Sequence, residues 1–226
     1  MIEMPKEIIL ASSSPARRTI LSDLGYHVTI RPTDTDEDIT EKDPCLLVTR
    51  LAKRKMRAAL IQNGITTQKE NHSTPFTFAS KNNSFFANYL SYSLDDIIFD
   101  KAIITCDTMV VFNQTPIGKP KDEEMALSFI QSFSGKEQKV VTGFSLCIPH
   151  FGFISGCDTA TLCFKDIDES TAQSYIQTGE WKGAAGGYRI QKEGGKLIRQ
   201  TIGDFNTVVG LPISLISALI SSNFVL

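Results

Sequence analysis

The stretch KAIITCDTMVVF, residues 101–112, constrains the fold more than any other. It is apolar on both sides of a single carboxylate, Asp107. Such a run, rich in β-branched residues and without a helical period, predicts a strand buried in a sheet. An aspartate inside it costs free energy unless it is paired or metal-bound. At the end of a strand in an α/β sheet, a carboxylate lies where such folds place their sites.

The flanking sequence alternates strands with helices. EIILAS predicts a short buried strand, and ARRTILSDLGY a helix ending at Gly25, with Ser14 as its cap and Pro15 in its first turn. HVTIRP predicts a second strand, followed by the acidic loop TDTDEDITEKDP. Asp43 or Pro44 opens a helix through CLLVTRLAKRKMRAALIQ, with Leu47, Leu51 and Ala58 on its apolar face. Further on, DEEMALSFIQSFSG predicts a helix stopped by Gly135, and KVVTGFSLCIP and ISGCDTATLCFK two adjacent strands. DESTAQSYIQTGE predicts a helix capped near Asp168 or Ser170. A Gly-rich segment, WKGAAGGYRIQKEGGKLI, then leads through RQTIGDFNTVVGLP to a terminal helix. The order predicts an α/β protein. From Asn63 to about Asp96 no period is sustained. Structureless loops beyond ~15 residues are uncommon in compact domains. That segment therefore reads as a partly mobile insertion within a single domain, 1–226, with its Phe and Tyr side chains pinning it to the surface.

Composition narrows the function. A net charge of −2 over 226 residues argues against a nucleic-acid polymer or a membrane surface as partner. Local basic clusters still suit a small polyanion. No run approaches the ~18 to 20 apolar residues of a membrane span, and MIEMPKEIIL lacks the pattern of a signal peptide. Cys45, Cys106, Cys147, Cys157 and Cys163 form no CxxC pair. The odd count predicts reduced thiols and a cytoplasmic chain.

LASSSPARR places Ser12, Ser13 and Ser14 before a helix start and Arg17 and Arg18 inside its first turns. Unpaired helix N–H groups, hydroxyls and a guanidinium together form an anion site, although a generic helix start with a surface arginine pair reads the same in isolation. The P-loop pattern is absent. The acidic loop supplies Asp34, Asp36, Glu37 and Asp38, which, set beside Asp107, could share Mg²⁺ or Mn²⁺ with water and phosphate. Lys55 lies on the basic helix, most of whose charges face water. Lys119 is fixed between Gly118 and Pro120. His27, His72 and His150 have no partner motif, and no nucleophile-base constellation supports covalent catalysis. The set suits metal-assisted attack of water on a phosphate.

Several separated segments together resemble one family, the Maf-like proteins, related in fold to the inosine-triphosphate pyrophosphatases. They are LASSSPARRTILSDLG, the pair Asp36-Glu37, RLAKRKMRA, CDTMVVF, IGKPKDEEMA, FSGKEQKVVTG, AAGGYRIQKEGGKLI and NTVVGLP. The resemblance implies an elongated mixed α/β sheet whose two lobes flank a nucleotide cleft. It implies a cytoplasmic nucleoside triphosphate pyrophosphatase that needs a divalent cation and releases a monophosphate and pyrophosphate. By the same resemblance Asp107 is the general base, Glu37 its acidic partner at the metal, and Ser12, Arg17, Lys55 and Lys119 the phosphate-side residues. The one protein partner expected is a second copy of the chain, in a homodimer.

The chain departs from the family pattern at one point. The common S-P-R-R reads SPARR, so Ala16 occupies the first arginine's position, Arg17 the second, and Arg18 a variable one. Members that prefer dTTP and UTP resemble one another in that arginine, a threonine after the aspartate, and a glutamine in the Gly-rich segment. This chain keeps Thr108 and Gln191. The expectation is a pyrimidine preference with looser base discrimination, or else a modified nucleotide as substrate, with Arg18 an imperfect substitute because adjacent helix positions point about 100° apart. The competing expectation is a nucleotide-binding regulator of cell division without turnover. Retention of Asp107, Glu37, Lys55 and Lys119 favours the enzyme.

Overall fold

The computed structural model describes residues 4–36, 38–65, 73–79, 84–90 and 100–221. Nine strands are present in them: β1 (Glu7–Leu10), β2 (His27–Ile30), β3 (Ser73–Ala79), β4 (Ser84–Leu90), β5 (Ala102–Phe112), β6 (Thr115–Ile117), β7 (Glu137–Ile148), β8 (Gly152–Phe164) and β9 (Ile198–Ile202). The helices are α1 (Pro15–Asp23), α2 (Pro44–Gln62), α3 (Glu123–Ser132), α4 (Glu169–Gln177), α5 (Phe205–Val209) and α6 (Ile213–Ser221). The α/β expectation holds. The chain forms two compact units, and β5, β7 and β8 each contribute a segment to both.

The first unit takes the chain up to Asp107, then Thr142–Asp158, then the part from Gly210 on. Its strand order is β2-β1-β5-β7-β8-β4-β3. Strand β1 runs parallel to β2 and to β5, with Leu10 opposite Ile30 and Ile104. The reason β1 is apolar throughout is plain in the packing. Ile8 and Leu10 join Ile104, Phe144 and Leu146 beneath Leu215, Ile216 and Leu219 of α6. Ile9 and Ala11 face the other way, into Met56, Ala59 and Leu60 of α2. The strand is covered on both sides, as parallel strands in α/β proteins are.

The second unit takes Thr108–Val141 and Thr159–Val209. Here β6 lies antiparallel on the end of β5, and β9 antiparallel on the end of β8. Its core is aromatic: Phe133 packs edge-on against Phe112, and Phe164 edge-on against Tyr188, an arrangement the ring quadrupoles favour. Two short 3-10 turns, Ala185–Gly187 and Glu193–Leu197, shape the Gly-rich segment.

Three expectations need correction. The unpatterned segment contains an antiparallel hairpin, β3 with β4, and β4 extends the sheet by pairing with β8. Register along β8 supplied what the segment's own sequence did not. The roles assigned to its aromatic side chains lie outside the described residues. Second, Asp107 is not at a strand end; β5 continues to Phe112. Third, the thiols are not all reduced: Cys45 and Cys157 form a disulfide, with Cα atoms 5.7 Å apart. The pair is 112 residues apart in sequence, so neither the odd count nor local spacing could reveal it. Cys106, Cys147 and Cys163 are free and buried, as expected of small apolar residues. Among the described residues no helix is long and apolar enough to cross a membrane.

Candidate active site

The first unit builds a cavity of about 200 Å³ lined by Ser12, Ser13, Arg17, Thr33, Lys55 and Cys106, among others. Whole small-molecule sites span roughly 300–1,000 Å³, so this one is sized for part of a nucleotide, such as its phosphates.

One wall is the start of α1. Ser14 caps the helix, its hydroxyl accepting from the Arg17 amide at 3.4 Å, and Pro15 occupies the first turn. The Ser12 hydroxyl turns inward and accepts from the Ser14 amide at 3.2 Å. The guanidinium of Arg17 ties three chain segments together. Its Nε donates to the Gly210 carbonyl at 2.7 Å, and its Nη1 to Ser12 Oγ at 3.0 Å and to the Cys106 carbonyl at 3.1 Å. Arg17 is thus a fork fixed by the protein before any ligand arrives. Arg18, the next residue, is exposed, and Ala16 is half-buried.

The opposite group is an ion pair. Lys55 Nζ donates to Asp107 Oδ1, and each side chain keeps only 15% of its exposure. Lys55 reaches Asp107 because α2 is seated tightly on the sheet. The Thr105 hydroxyl, wholly buried in β5, donates to the Ala52 carbonyl of α2 at 2.7 Å. On β7, Gly143 lies directly beneath the backbone of Val48 and Thr49. The residue before Lys55 on α2, Arg54, turns to the acidic loop and donates to the Asp36 carbonyl at 2.7 Å. Asp36 in turn accepts from the Asp38 amide at 2.8 Å. One helix therefore carries the cation for Asp107 and the anchor for the acidic loop. Glu37 lies outside the described residues.

The Cys106 thiol beside this pair is pushed up to about 11, chiefly by burial, with Arg17 and Lys55 opposing and Asp107 reinforcing the shift. A thiol so placed stays protonated at neutral pH and is no nucleophile, which agrees with the absence of a covalent constellation in the sequence.

The remaining predicted residues lie in the second unit. Thr108 follows Asp107 on β5 and is half-buried. Lys119 is exposed in the turn after β6. That turn is fastened to the Gly-rich segment by the Gly186 amide, which donates to the Gly118 carbonyl at 3.0 Å. Gln191 is also exposed, on a tight knot in which Gly195 touches the Ile190 carbonyl so closely that a Cβ would stand 2.4 Å from it. The structure thus gathers Ser12, Arg17, Lys55 and Asp107 in one unit and presents Thr108, Lys119 and Gln191 on the other.

Sequence reasoning passed over several participants. The carbonyls of Cys106 and Gly210 carry no side-chain signal. Thr33 and Thr35, in the loop after β2, line the cavity wall, and their hydroxyls are closed from solvent with no hydrogen-bond partner among the described residues. Buried hydroxyls in a site loop mark a place where further polar groups are accommodated.

Among the described residues no three His, Cys, Asp or Glu side chains cluster as a ready-made metal cage. A hard divalent cation does not require one: it takes one or two carboxylates and draws the rest of its shell from water and phosphate oxygens. Asp34 lines the cavity, and Asp107 is joined to it through Lys55; a few carboxylates beside a phosphate-sized cavity fit that mode of binding.

The sequence model described as Maf-like protein matches residues 7–223. A dTTP/UTP pyrophosphatase of Pyrococcus furiosus is 36% identical over 216 residues, covering 95% of this chain and 94% of the relative. A dTTP/UTP pyrophosphatase of Bdellovibrio bacteriovorus is 31% identical over 223 residues, covering 96% and 99%. One of Deinococcus radiodurans is 30% identical over 218 residues, covering 96% and 93%.

Proposed function

This chain belongs to the Maf-like family, and from that premise we propose that it is a nucleoside triphosphate pyrophosphatase acting on dTTP and UTP. The observation that carries the reading is the Lys55–Asp107 pair set beside the Arg17 fork at a phosphate-sized cavity. The reaction adds water at the α phosphorus, breaks the bond to the bridging oxygen, and releases nucleoside monophosphate and pyrophosphate.

In this proposal Asp107 takes the proton of the attacking water. Before substrate arrives Lys55 holds the carboxylate in place; when phosphate oxygens compete for the ammonium, Lys55 moves toward them and frees Asp107. Arg17, Ser12 and Lys119 hold the remaining charge, and the α1 N-terminus adds its partial positive charge. Asp107 and Glu37 would hold a divalent cation, Mg²⁺ or Mn²⁺, together with the phosphates. That ion supplies charge neutralisation and a more acidic water. Thr108 and Gln191 read the base, the amide of Gln191 offering the donor and acceptor that a thymine or uracil edge requires. Ala16 leaves a gap where the pyrimidine-preferring pattern has arginine, so discrimination among bases is looser. The natural setting is the cytoplasm, where free nucleotides are found.

The test is a panel of nucleoside triphosphates with product analysis. Pyrophosphate and monophosphate from dTTP and UTP, with weaker turnover of other bases, is the expected result. Orthophosphate as the product, or binding without any turnover, refutes the reading; the latter outcome makes the chain a nucleotide-binding regulator. Asp107→Asn is expected to lower kcat by 10²–10⁴-fold, the usual range for a general base, while still binding nucleotide with metal. Unchanged turnover in that variant removes Asp107 from the role.

A further inference from the structure

The disulfide between Cys45 and Cys157 takes no part in the chemistry above, yet it joins the site's organising helix to the sheet. Cys45 stands in the first turn of α2, directly after Asp43, which caps the helix, and Pro44. Cys157 lies in β8 and is 1% exposed. Their Cα separation of 5.7 Å falls in the ordinary range for a bridge. From that anchored end α2 runs over Gly143, accepts the Thr105 hydroxyl at Ala52, and delivers Arg54 to the acidic loop and Lys55 to Asp107. The other attachments of α2 are noncovalent: hydrogen bonds, the ion pairs of Arg50 with Glu41, Arg54 with Asp36 and Lys55 with Asp107, and close packing. The disulfide is the one covalent tie among them, and it sits at the end of the helix.

A chain that acts on free nucleotides works where thiol buffers are reducing. In such compartments disulfides are transient and redox-sensing rather than structural. We propose that Cys45 and Cys157 form a redox modification site: oxidation clamps the start of α2 to β8 and fixes Lys55 and the acidic loop for phosphate binding, and reduction relaxes them. The inference rests on the pyrophosphatase reading for its catalytic readout.

The chemistry is thiol–disulfide exchange with a low-molecular-weight disulfide such as glutathione disulfide. Cys45 is only half-buried, so exchange begins there. Its thiolate attacks one glutathione sulfur, forms a mixed disulfide and expels a glutathione thiolate. The Cys157 thiolate then attacks the Cys45 sulfur and expels the second. Two electrons pass from the cysteine pair to glutathione disulfide, and the two thiol protons end on the two glutathiones. Reduction is the reverse sequence.

The test equilibrates the full chain in buffers of varied glutathione to glutathione-disulfide ratio. The oxidised fraction is read by maleimide-polymer gel shift after denaturation, and kcat and KM by pyrophosphate release from dTTP. The fully reduced protein is expected to show a KM at least threefold higher than the oxidised protein, with kcat changed less than twofold. The KM change should share its midpoint with the gel shift. Cys45→Ser should show the reduced KM at every ratio. A disulfide that forms without any change in KM overturns the regulatory role, and failure to form the disulfide at any ratio overturns the pair itself. Amide hydrogen exchange over residues 44–52 keeps the question separate from the enzymatic reading. Slower exchange in the oxidised form supports the clamp even if dTTP is not hydrolysed; equal exchange in both forms refutes it even if dTTP is hydrolysed.

Discussion

Gly143→Ala is the sharpest probe of how the fold positions the site. A Cβ at this position would stand 2.4 Å from the Val48 carbonyl carbon, 2.5 Å from its oxygen and 2.6 Å from the Thr49 nitrogen. All three atoms are backbone, so no side chain can rotate away. Carbon contacts are comfortable from about 3.5 Å, and α2 must therefore retreat by about 1 Å. The Thr105–Ala52 hydrogen bond, 2.7 Å long, then opens beyond bonding range. Overpacking of this kind costs roughly 1–3 kcal/mol, and the lost hydrogen bond adds about 1 kcal/mol. For a chain of this size each kcal/mol lowers Tm by roughly 2–4 °C, so a fall of about 5–15 °C is expected. A displacement of about 1 Å in a catalytic group can cost about 10²-fold in rate, and Lys55 moves with the helix. Differential scanning fluorimetry and steady-state pyrophosphate release read the two effects on the same sample. An unchanged Tm refutes the close approach. A lowered Tm with unchanged kcat/KM refutes the claim that α2 positions Lys55.

Two further outcomes follow from the same geometry. Arg17→Lys leaves one ammonium where a fork spans Ser12, Cys106 and Gly210, and hydrogen bonds to charged groups contribute roughly 1.5–3 kcal/mol each. KM for dTTP should rise tenfold or more; an unchanged KM would remove Arg17 from the site. The buried Cys106 and Cys147 thiols are pushed from an ordinary value of 9.0 up to about 11 and about 12, in both cases chiefly by burial. Between pH 9 and 11 the unfolded chain has released these protons while the folded chain keeps them, so stability falls as pH rises. At about 1.4 kcal/mol per pH unit for each thiol, the two together should lower unfolding stability by about 2.7 kcal/mol between pH 8 and pH 10. Urea midpoints at the two pH values measure the fall, Cys106→Ala should roughly halve it, and a flat profile in the parent protein would show that these thiols are solvated.

Much of this arrangement was legible before the fold was known. Ser14 and Asp43 were readable as helix caps because capping is local chemistry, and α1 and α2 begin where those residues stand. Asp107 was readable as a carboxylate that must be paired or metal-bound, because an apolar run holds an aspartate at a cost otherwise; its partner Lys55 emerged only from the fold. The hairpin of β3 and β4 was not readable, because its strand character comes from pairing with β8 rather than from its own period. Glu37, the expected partner of Asp107, lies outside the described residues. The Cys45–Cys157 pair needed spatial proximity that no local pattern records.

Lys55 shows where a signal was present and underused. Read as part of RLAKRKMRA, it looks like one of many solvated cations. Its spacing says otherwise: it follows Ala52 by three positions and precedes Ala59 by four, and both of those alanines are fully buried. Residues at i−3 and i+4 share its face of the helix, so Lys55 had to lie along the buried stripe, where a cation needs a carboxylate. Arg54, about 100° around the helix, had to point elsewhere, and it holds the acidic loop through the Asp36 carbonyl. The same rotation separates Arg17, which lines the cavity, from exposed Arg18. In both basic pairs the helix period assigns the duties. One cation is drawn into the anion site and its neighbour is turned away, so a charge run that is unremarkable by composition becomes specific once its phase against the apolar stripe is counted.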